Sequence, residues 1–139
     1  MPTKSLGHAE TRSISVAAPP ETVLQLVGDP RRLPDWAPAF ALSVEPDGQD
    51  WLVDSGEGRF RIRVHVSLEH GTVDLLRPKD PSRGARMRVL NNADGSELVF
   101  TLVFPPGADE GSITRQMTIV DGELRAVRAV CEAQASGLE

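Results

Sequence analysis

The sequence predicts an α+β domain, in which an antiparallel sheet of about seven strands is covered by one long C-terminal helix and two short helices follow the first strand. Three observations support this prediction. Apolar residues alternate with period two over residues 11–18 and through most of residues 40–104. The links between these runs are short enough for hairpins, and a stripe of period 3.6 follows near the end.

The first strand is predicted over residues 11–18, where Ile14 and Val16 alternate with polar residues. The next run, PPETVLQLVGDP, is typical of a short helix, because Pro20 suits a first helical turn and the apolar residues share one face. Pro30 ends this helix, since proline disfavours helical geometry in the residue before it. The following RRLPDW can form at most one more helical turn.

Residues 40–104 carry the remaining strands. In RFRIRVHVSLE, apolar residues occupy one face and arginine, histidine and serine the other, which is typical of a strand with one face in water. The later LVFTLVF differs because both of its faces are apolar: Val99 and Val103 lie opposite Phe100 and Leu102. Such a strand is usually central or at an interface, so we expect a homodimer or other association through the outer face of the sheet.

Near the end of the chain, apolar residues recur at spacings of four and three, which predicts a helix of about five turns with Asp109 as its N-cap. The stripe consists of Ile113, Met117, Val120, Leu124, Val127 and Cys131. Because a sheet with one apolar face has to be covered, this stripe is the natural cover.

Length and composition restrict the class of protein. At 139 residues the chain has the length of one domain, which we place at residues 11–135 after a frayed lead at 1–10 that does not resemble a signal peptide. With a single cysteine, no internal disulfide is possible, so we expect a cytoplasmic protein. No run is long enough for a membrane span, and the net charge of −5 disfavours nucleic acid as a partner.

The charge is unevenly distributed. Residues 59–88 contain eight arginines and lysines against three acids, whereas residues 1–58 contain four against nine. A basic middle can face an anionic ligand or partner, but a run of this kind is more often the solvated face of a strand, and we favour that interpretation.

Four segments in this order resemble the SRPBCC or START-like superfamily, in particular small bacterial proteins grouped with polyketide cyclase/dehydrase and lipid-transport domains. They are SISVAAPPETVLQLVGDPRRLPDW, GTVDLL, NNADGSELVFTLVFPPG and ELRAVRAVCEA. The resemblance implies a helix-grip fold, in which a curved sheet wraps the long helix and leaves an elongated apolar cavity, open near the short helices. Relatives often have histidine after the aspartate of GTVDLL, whereas here Leu75 follows Asp74, so an acid and imidazole pair is not available there.

The implied cavity predicts ligand contacts from the inner faces of the sheet and helix. The predicted lining residues are Phe60, Ile62, Val64, Phe100, Leu102, Met117, Val120, Leu124 and Val127, with Trp36, Phe40 and Trp51 near the mouth. The alternative is an ordinary core, in which these side chains pack at crystal-like density. Four phenylalanines and two tryptophans leave little bulk to fill a wide sheet, which favours the cavity.

Candidate catalytic residues are Asp74, Arg63 and Arg88, which could act on a carbonyl compound as base and as hydrogen-bond donors. The alternative, which we favour, places all three on the solvated face of the sheet. We expect no metal and no other cofactor: His65 and His70 project to opposite faces of a strand, and the stripe position of Cys131 is typical of a packed thiol.

Three hypotheses about function follow. The first is a protein that binds or carries a small hydrophobic molecule, such as a lipid, isoprenoid or polyketide-like compound, in the cavity. The second is a polyketide cyclase or dehydratase that acts in the same cavity. The third is a partner-binding module similar to the co-chaperone members of the superfamily, which would use the outer face of the sheet and need no cavity.

Overall fold

The computed structural model describes residues 6–137, and these form seven strands and three α-helices. The strands are β1 (His8–Val16), β2 (Ser43–Asp47), β3 (Asp50–Asp54), β4 (Arg59–Ser67), β5 (Thr72–Arg77), β6 (Asp80–Asn92) and β7 (Gly95–Phe104). The helices are α1 (Pro20–Val27), α2 (Leu33–Trp36) and α3 (Glu110–Ala135), with one 3₁₀ turn at Pro30–Arg32. The predicted strand and helix order is confirmed.

All seven strands form one antiparallel sheet in the order β1-β7-β6-β5-β4-β3-β2. Each strand from β2 to β7 pairs with the strand that follows or precedes it in sequence, and β1 closes the sheet beside β7. Leu75 pairs with Ala85 and Ala85 with Leu102, so these three side chains form a row on the inner face. This row lies under the pocket described below.

The N-terminal boundary differs from the prediction. Strand β1 already pairs with β7 at His8, so the frayed lead predicted over residues 1–10 is wrong for residues 8–10. His8, Ala9 and Glu10 include no large apolar residue, so the sequence did not indicate a strand there, and the strand is held by its ladder with β7. Of the rest of the predicted lead, residues 1–5 lie outside the described residues.

Two short helical segments follow β1. Helix α1 buries Val23, Leu24, Leu26 and Val27, and the carboxylate of Asp29 then accepts a hydrogen bond from the backbone N–H of Arg31. This contact caps the 3₁₀ turn, which leads directly into the single turn of α2. As a result, the chain re-enters the core as α2, which buries Leu33 and Trp36.

Helix α3 has 26 residues and is therefore about 39 Å long. The carboxylate of Asp109 accepts a hydrogen bond from the backbone N–H of Ser112 at 3.0 Å, which confirms the predicted N-cap. The helix packs on β1, α1 and α2, and near its end Glu132 accepts a hydrogen bond from the backbone N–H of Ala17. Among the described residues, no helix is long and apolar enough to cross a membrane.

The basic strand β4 is neutralised on the outer face of the sheet. Its three arginines form ion pairs with aspartates of the neighbouring β2 and β3: Arg59 with Asp54, Arg61 with Asp47 and Arg63 with Asp50. Acids of the first half of the chain thus compensate three of the eight cations of residues 59–88. The solvated-face interpretation of the basic stretch agrees with this arrangement.

The outer face of β7 carries Val99 and Val103, but the neighbouring residues of β1 on the same face are small. Val103 is 48% exposed and Val99 is half-buried, and their partners on β1 are Ala9 and Ser13. Association through this face therefore stays a prediction.

We expect the buried hydroxyl of Ser96 to contribute to stability, because it donates a hydrogen bond of 2.7 Å to the carbonyl oxygen of buried Ala18. Replacing Ser96 with alanine leaves that carbonyl without this donor and should lower the free energy of unfolding by about 1–2 kcal/mol in urea titrations. Ser13→Ala, on the exposed face of β1, is the matched control and should change it by less than about 0.5 kcal/mol. Equal effects of the two changes would contradict this role.

Candidate ligand pocket

A pocket of about 280 Å³ lies between α2, α3 and the inner face of the sheet. Helix α2 and the segment after it form one wall, α3 forms another, and strands β4 to β7 form the floor. The lining residues are Leu33, Trp36, Ala37, Phe40, Ile62, Leu75, Arg77, Arg83, Gly84, Ala85, Phe100, Leu102, Val103, Phe104, Pro105, Gln116 and Glu123.

The space exists because β6 carries its smallest residues at the centre of the floor. Ala85 lies between Leu75 and Leu102 in the inner row, where a larger side chain would fill the pocket. Gly84 has φ 140°, and a Cβ added to it would lie 2.2 Å from the carbonyl oxygen of Leu75. Glycine is therefore required at this position for the close approach of β5 and β6.

Trp36 is both a core residue and a wall of the pocket. Its side chain is only 2% exposed, and it belongs to the same buried cluster as Leu33. Its indole Nε1 is buried and has no hydrogen-bond partner among residues 6–137. An unsatisfied buried donor costs free energy, so this N–H lowers the stability of the folded protein.

Glu123 is the one buried carboxylate of the pocket among the described residues. It is 9% exposed, and no hydrogen bond or ion pair joins it to any of residues 6–137. Burial raises the pKa of its carboxyl from the ordinary 4.5 to about 7. The pocket therefore holds an acid and base that titrates near neutral pH.

Two arginines also line the pocket. Arg77, at the end of β5, has its guanidinium 3.8 Å from the ring centre of Phe60, and Phe60 packs edge-on against Phe40 at 5.2 Å. Burial, and to a smaller extent the positive charge of Arg83, lower the pKa of Arg77 below its ordinary value. Among the described residues, no carboxylate lies within ion-pair distance of either guanidinium.

Over residues 8–138, the chain matches the family described as polyketide cyclase / dehydrase and lipid transport. It belongs to this family. The resemblance to the SRPBCC or START-like superfamily inferred from the sequence is thereby confirmed. No curated protein matches the chain.

Solved structures show the same fold at low sequence identity. A START superfamily protein from Mycobacterium smegmatis is 16% identical with a TM-score of 0.66, and the match covers 96% of this chain and 100% of that one. The Zhui aromatase/cyclase from Streptomyces sp. R1128 is 19% identical with a TM-score of 0.66, covering 92% and 95%. The Aha1 dimer from Colwellia psychrerythraea is 13% identical with a TM-score of 0.71, covering 90% and 96%. The predicted helix-grip fold is confirmed.

Some of the lining residues predicted from the sequence do meet at the pocket. Five of them line the pocket: Trp36, Phe40, Ile62, Phe100 and Leu102. Their contact with a ligand stays a prediction.

The other predicted lining residues lie elsewhere. Val120, Leu124 and Val127 are buried in the core, and Met117 lines a separate polar cleft between α3 and β1. Phe60 and Val64 pack against the core without lining the pocket, and Trp51 lies under the guanidinium of Arg31 at 4.7 Å. The apolar stripe of α3 covers a broad part of the helix surface, and only one edge of it borders the pocket. The sequence does not indicate which edge that is.

Sequence reasoning missed the polar residues of the pocket: Arg77, Arg83, Gln116 and Glu123. A signal was present for Glu123, which follows Val120 by three residues and precedes Val127 by four and so lies on the apolar side of the helix. A signal was also present for Arg77, because alternation from Val73 through Leu75 continues to it.

The predicted catalytic residues lie on the outer face of the sheet, away from the pocket. Arg63 donates to Asp50 at 2.7 Å, Asp74 accepts from Arg86 at 3.1 Å, and Arg88 is exposed. Because adjacent residues of a strand project to opposite faces, the residues next to these three on β4, β5 and β6 face inward. The geometry gives no support to a catalytic role for these three residues in the pocket.

The part of the chain that the structure describes contains no candidate metal site and no reactive thiol. Residues 6–137 contain no group of three or more potential metal ligands. Cys131 is fully buried, and its burial raises the pKa of the thiol to about 11. The thiol is therefore protonated at neutral pH and packs as an apolar side chain.

We expect Glu123→Gln to stabilise the protein at high pH. A carboxyl with a pKa of 4.5 in the unfolded chain and about 7 in the folded protein favours folding at low pH, and this contribution is lost as pH rises from 4.5 to 7. Relative to the wild type, the variant should therefore gain about 3 kcal/mol in unfolding free energy between pH 4.5 and pH 8. Urea titrations across this range measure the difference.

The matched control is Glu45→Gln, which makes the same change on the exposed strand β2. Because Glu45 is exposed, its replacement should change the unfolding free energy by less than about 0.5 kcal/mol. If the unfolding free energies of the wild type and Glu123→Gln changed in parallel with pH, the pKa of Glu123 would not be raised and the prediction would be wrong.

Proposed function

We propose that the protein binds a compact, mainly hydrophobic small molecule in the pocket between α2, α3 and the sheet. The observation that carries this proposal is an open pocket of about 280 Å³ with a mainly apolar lining, which contains a buried carboxyl without a partner among residues 6–137. The family description, which includes lipid transport, supports the same function.

The size of the pocket limits the ligand. Small-molecule sites typically have volumes of about 300–1,000 Å³, so this pocket is at the lower end. It suits a molecule of one or two rings better than a lipid with two long acyl chains. Binding transfers the apolar surface of such a molecule out of water, which is worth about 25 cal/mol for each Å² buried.

The polar groups of the pocket then orient the ligand. The carboxyl of Glu123 lacks a partner among the described residues, so both of its oxygens offer hydrogen bonds that no protein group competes for. A ligand that supplies these bonds removes a cost that the unliganded protein carries. Hydrophobic transfer therefore supplies most of the affinity, and these groups supply orientation.

We expect 2-naphthol to bind saturably and to change the emission of Trp36, which lines the pocket. Titration in the Trp51→Phe background isolates the signal, because the chain has two tryptophans. Ala85→Leu should fill the floor of the pocket and weaken binding by about ten-fold or more.

Ala9→Leu enlarges an exposed residue of β1 in the same way and serves as the control, for which binding should be unchanged. Melting curves of both variants establish that they fold. Absence of saturable binding to the Trp51→Phe protein, or equal binding by Ala85→Leu, would contradict the proposal.

A second candidate function is proton transfer of the cyclase or dehydratase type, and one observation favours it. Glu123 has a pKa of about 7 in an apolar pocket, which is the range in which a carboxylate is an effective general base at neutral pH. In such a step the carboxylate takes a proton from a carbon next to a carbonyl group, and the electron pair forms the enolate. The description of the family includes cyclases and dehydrases.

We expect the protein to accelerate deuterium exchange at C1 of 2-tetralone, a compact bicyclic ketone, in D₂O. Because the base has to be ionised, the rate should rise as the pH increases through about 7, and Glu123→Gln should abolish the acceleration. Proton NMR of the ketone measures the exchange. With Glu45→Gln as control, an acceleration that persists in Glu123→Gln would exclude Glu123 as the base.

A further inference from the structure

Four of the five arginines on the outer face of strands β4 to β6 form ion pairs, and the fifth, Arg88, is exposed and has none among residues 6–137. On the outer face of the sheet, each of Arg59, Arg61, Arg63 and Arg86 forms an ion pair with an aspartate. By contrast, Arg77 and Arg83 line the pocket and have no such partner among residues 6–137. Two positive charges without an ion-pair partner among residues 6–137 therefore lie together at this pocket.

The two pocket arginines lie close enough to interact. The charge of Arg83 contributes to the lowered pKa of Arg77, which is the expected effect of one cation on another. Arg77 is held against the face of Phe60, which limits the positions of its guanidinium. The guanidinium of Arg77, with its restricted position, and the more exposed guanidinium of Arg83 both lack a carboxylate partner among residues 6–137, so together they can bind an anion, in particular a planar carboxylate.

Glu123 forms a separate polar point of the same pocket. No ion pair connects it to Arg77 or Arg83, although all three residues line the cavity. The rise of its carboxyl pKa has burial as its cause, with no contribution from a positive charge. The carboxyl of Glu123 therefore lies beyond ion-pair distance of the two guanidinium groups.

On the basis of the binding function proposed above, we infer that the ligand is a compact ring compound with two polar groups: an anionic group held by Arg77 and Arg83, and a hydroxyl that donates a hydrogen bond to Glu123. A hydroxylated aromatic carboxylate has this chemistry. Its rings occupy the apolar space above Ala85 and Leu102, and its two polar groups replace the partners that the fold does not supply.

Three probes test this inference. 6-Hydroxy-2-naphthoate carries both polar groups, 2-naphthoate only the anion and 2-naphthol only the hydroxyl. Dissociation constants are measured by isothermal titration calorimetry at pH 8, above the pKa of about 7 of Glu123. We expect 6-hydroxy-2-naphthoate to bind about ten-fold tighter than 2-naphthol and about five-fold tighter than 2-naphthoate.

Two variants assign these gains to residues. Arg83→Glu, at an exposed position, should weaken both carboxylates by about ten-fold or more and leave 2-naphthol nearly unchanged. Arg88→Glu makes the same change on the opposite face of β6 and is the matched control. Glu123→Leu should remove the gain from the hydroxyl, so that 6-hydroxy-2-naphthoate and 2-naphthoate bind alike.

The outcomes separate the two proposals. If 2-naphthol binds but the carboxylate adds no affinity, or if Arg83→Glu weakens the carboxylates no more than Arg88→Glu does, the inferred ligand class is wrong and the binding function stands. If the hydroxyl gain survives in Glu123→Leu, the assignment of that group to Glu123 is wrong. If none of the three probes binds the wild type, the binding function itself fails.

Discussion

The structure depends on a mismatch of widths between a broad sheet and a single long helix. Seven strands spaced about 4.8 Å apart span about 29 Å, whereas an α-helix with its side chains is about 10 Å wide. Helix α3 therefore cannot cover the inner face alone, and α1 and α2 pack beside it. The cavity lies where this cover is thinnest, between the one-turn helix α2 and one edge of α3.

The distribution of charge follows from the same arrangement. On the outer face, arginines and aspartates of neighbouring strands meet as ion pairs in solvent, so they serve the surface of the sheet and contribute little free energy individually. At the pocket, the buried Glu123, the half-buried Arg77 and the exposed Arg83 have no such partners among the described residues. Burial of an unpaired carboxyl lowers stability at neutral pH, and a fold that tolerates this cost at a pocket has the properties of a functional site.

Trp36 illustrates why core and pocket cannot be separated in this fold. It is among the largest fully enclosed side chains, yet its ring is also a wall of the cavity. The proline-rich connection around it, GDPRRLPDWAPAF, contains the capped 3₁₀ turn that directs the single turn of α2 into the core. A side chain in this position supports the sheet and α3 and at the same time contacts whatever enters the space between them.

The sequence by itself determined the order of the elements, the inner face of each strand and the covering role of α3, because periods of 2 and 3.6 report the direction of side chains along one element. It did not determine which inward residues meet a neighbour and which meet empty space. That depends on the register that places Ala85 between Leu75 and Leu102, and on the packing of α2 beside α3. For this reason Ile62 and Phe100 border the pocket, whereas Val120 and Val127 are enclosed by other side chains of the core. Glu123 and Arg77 became recognisable as site residues only once the tertiary structure brought the edge of α3 and the end of β5 to the same cavity.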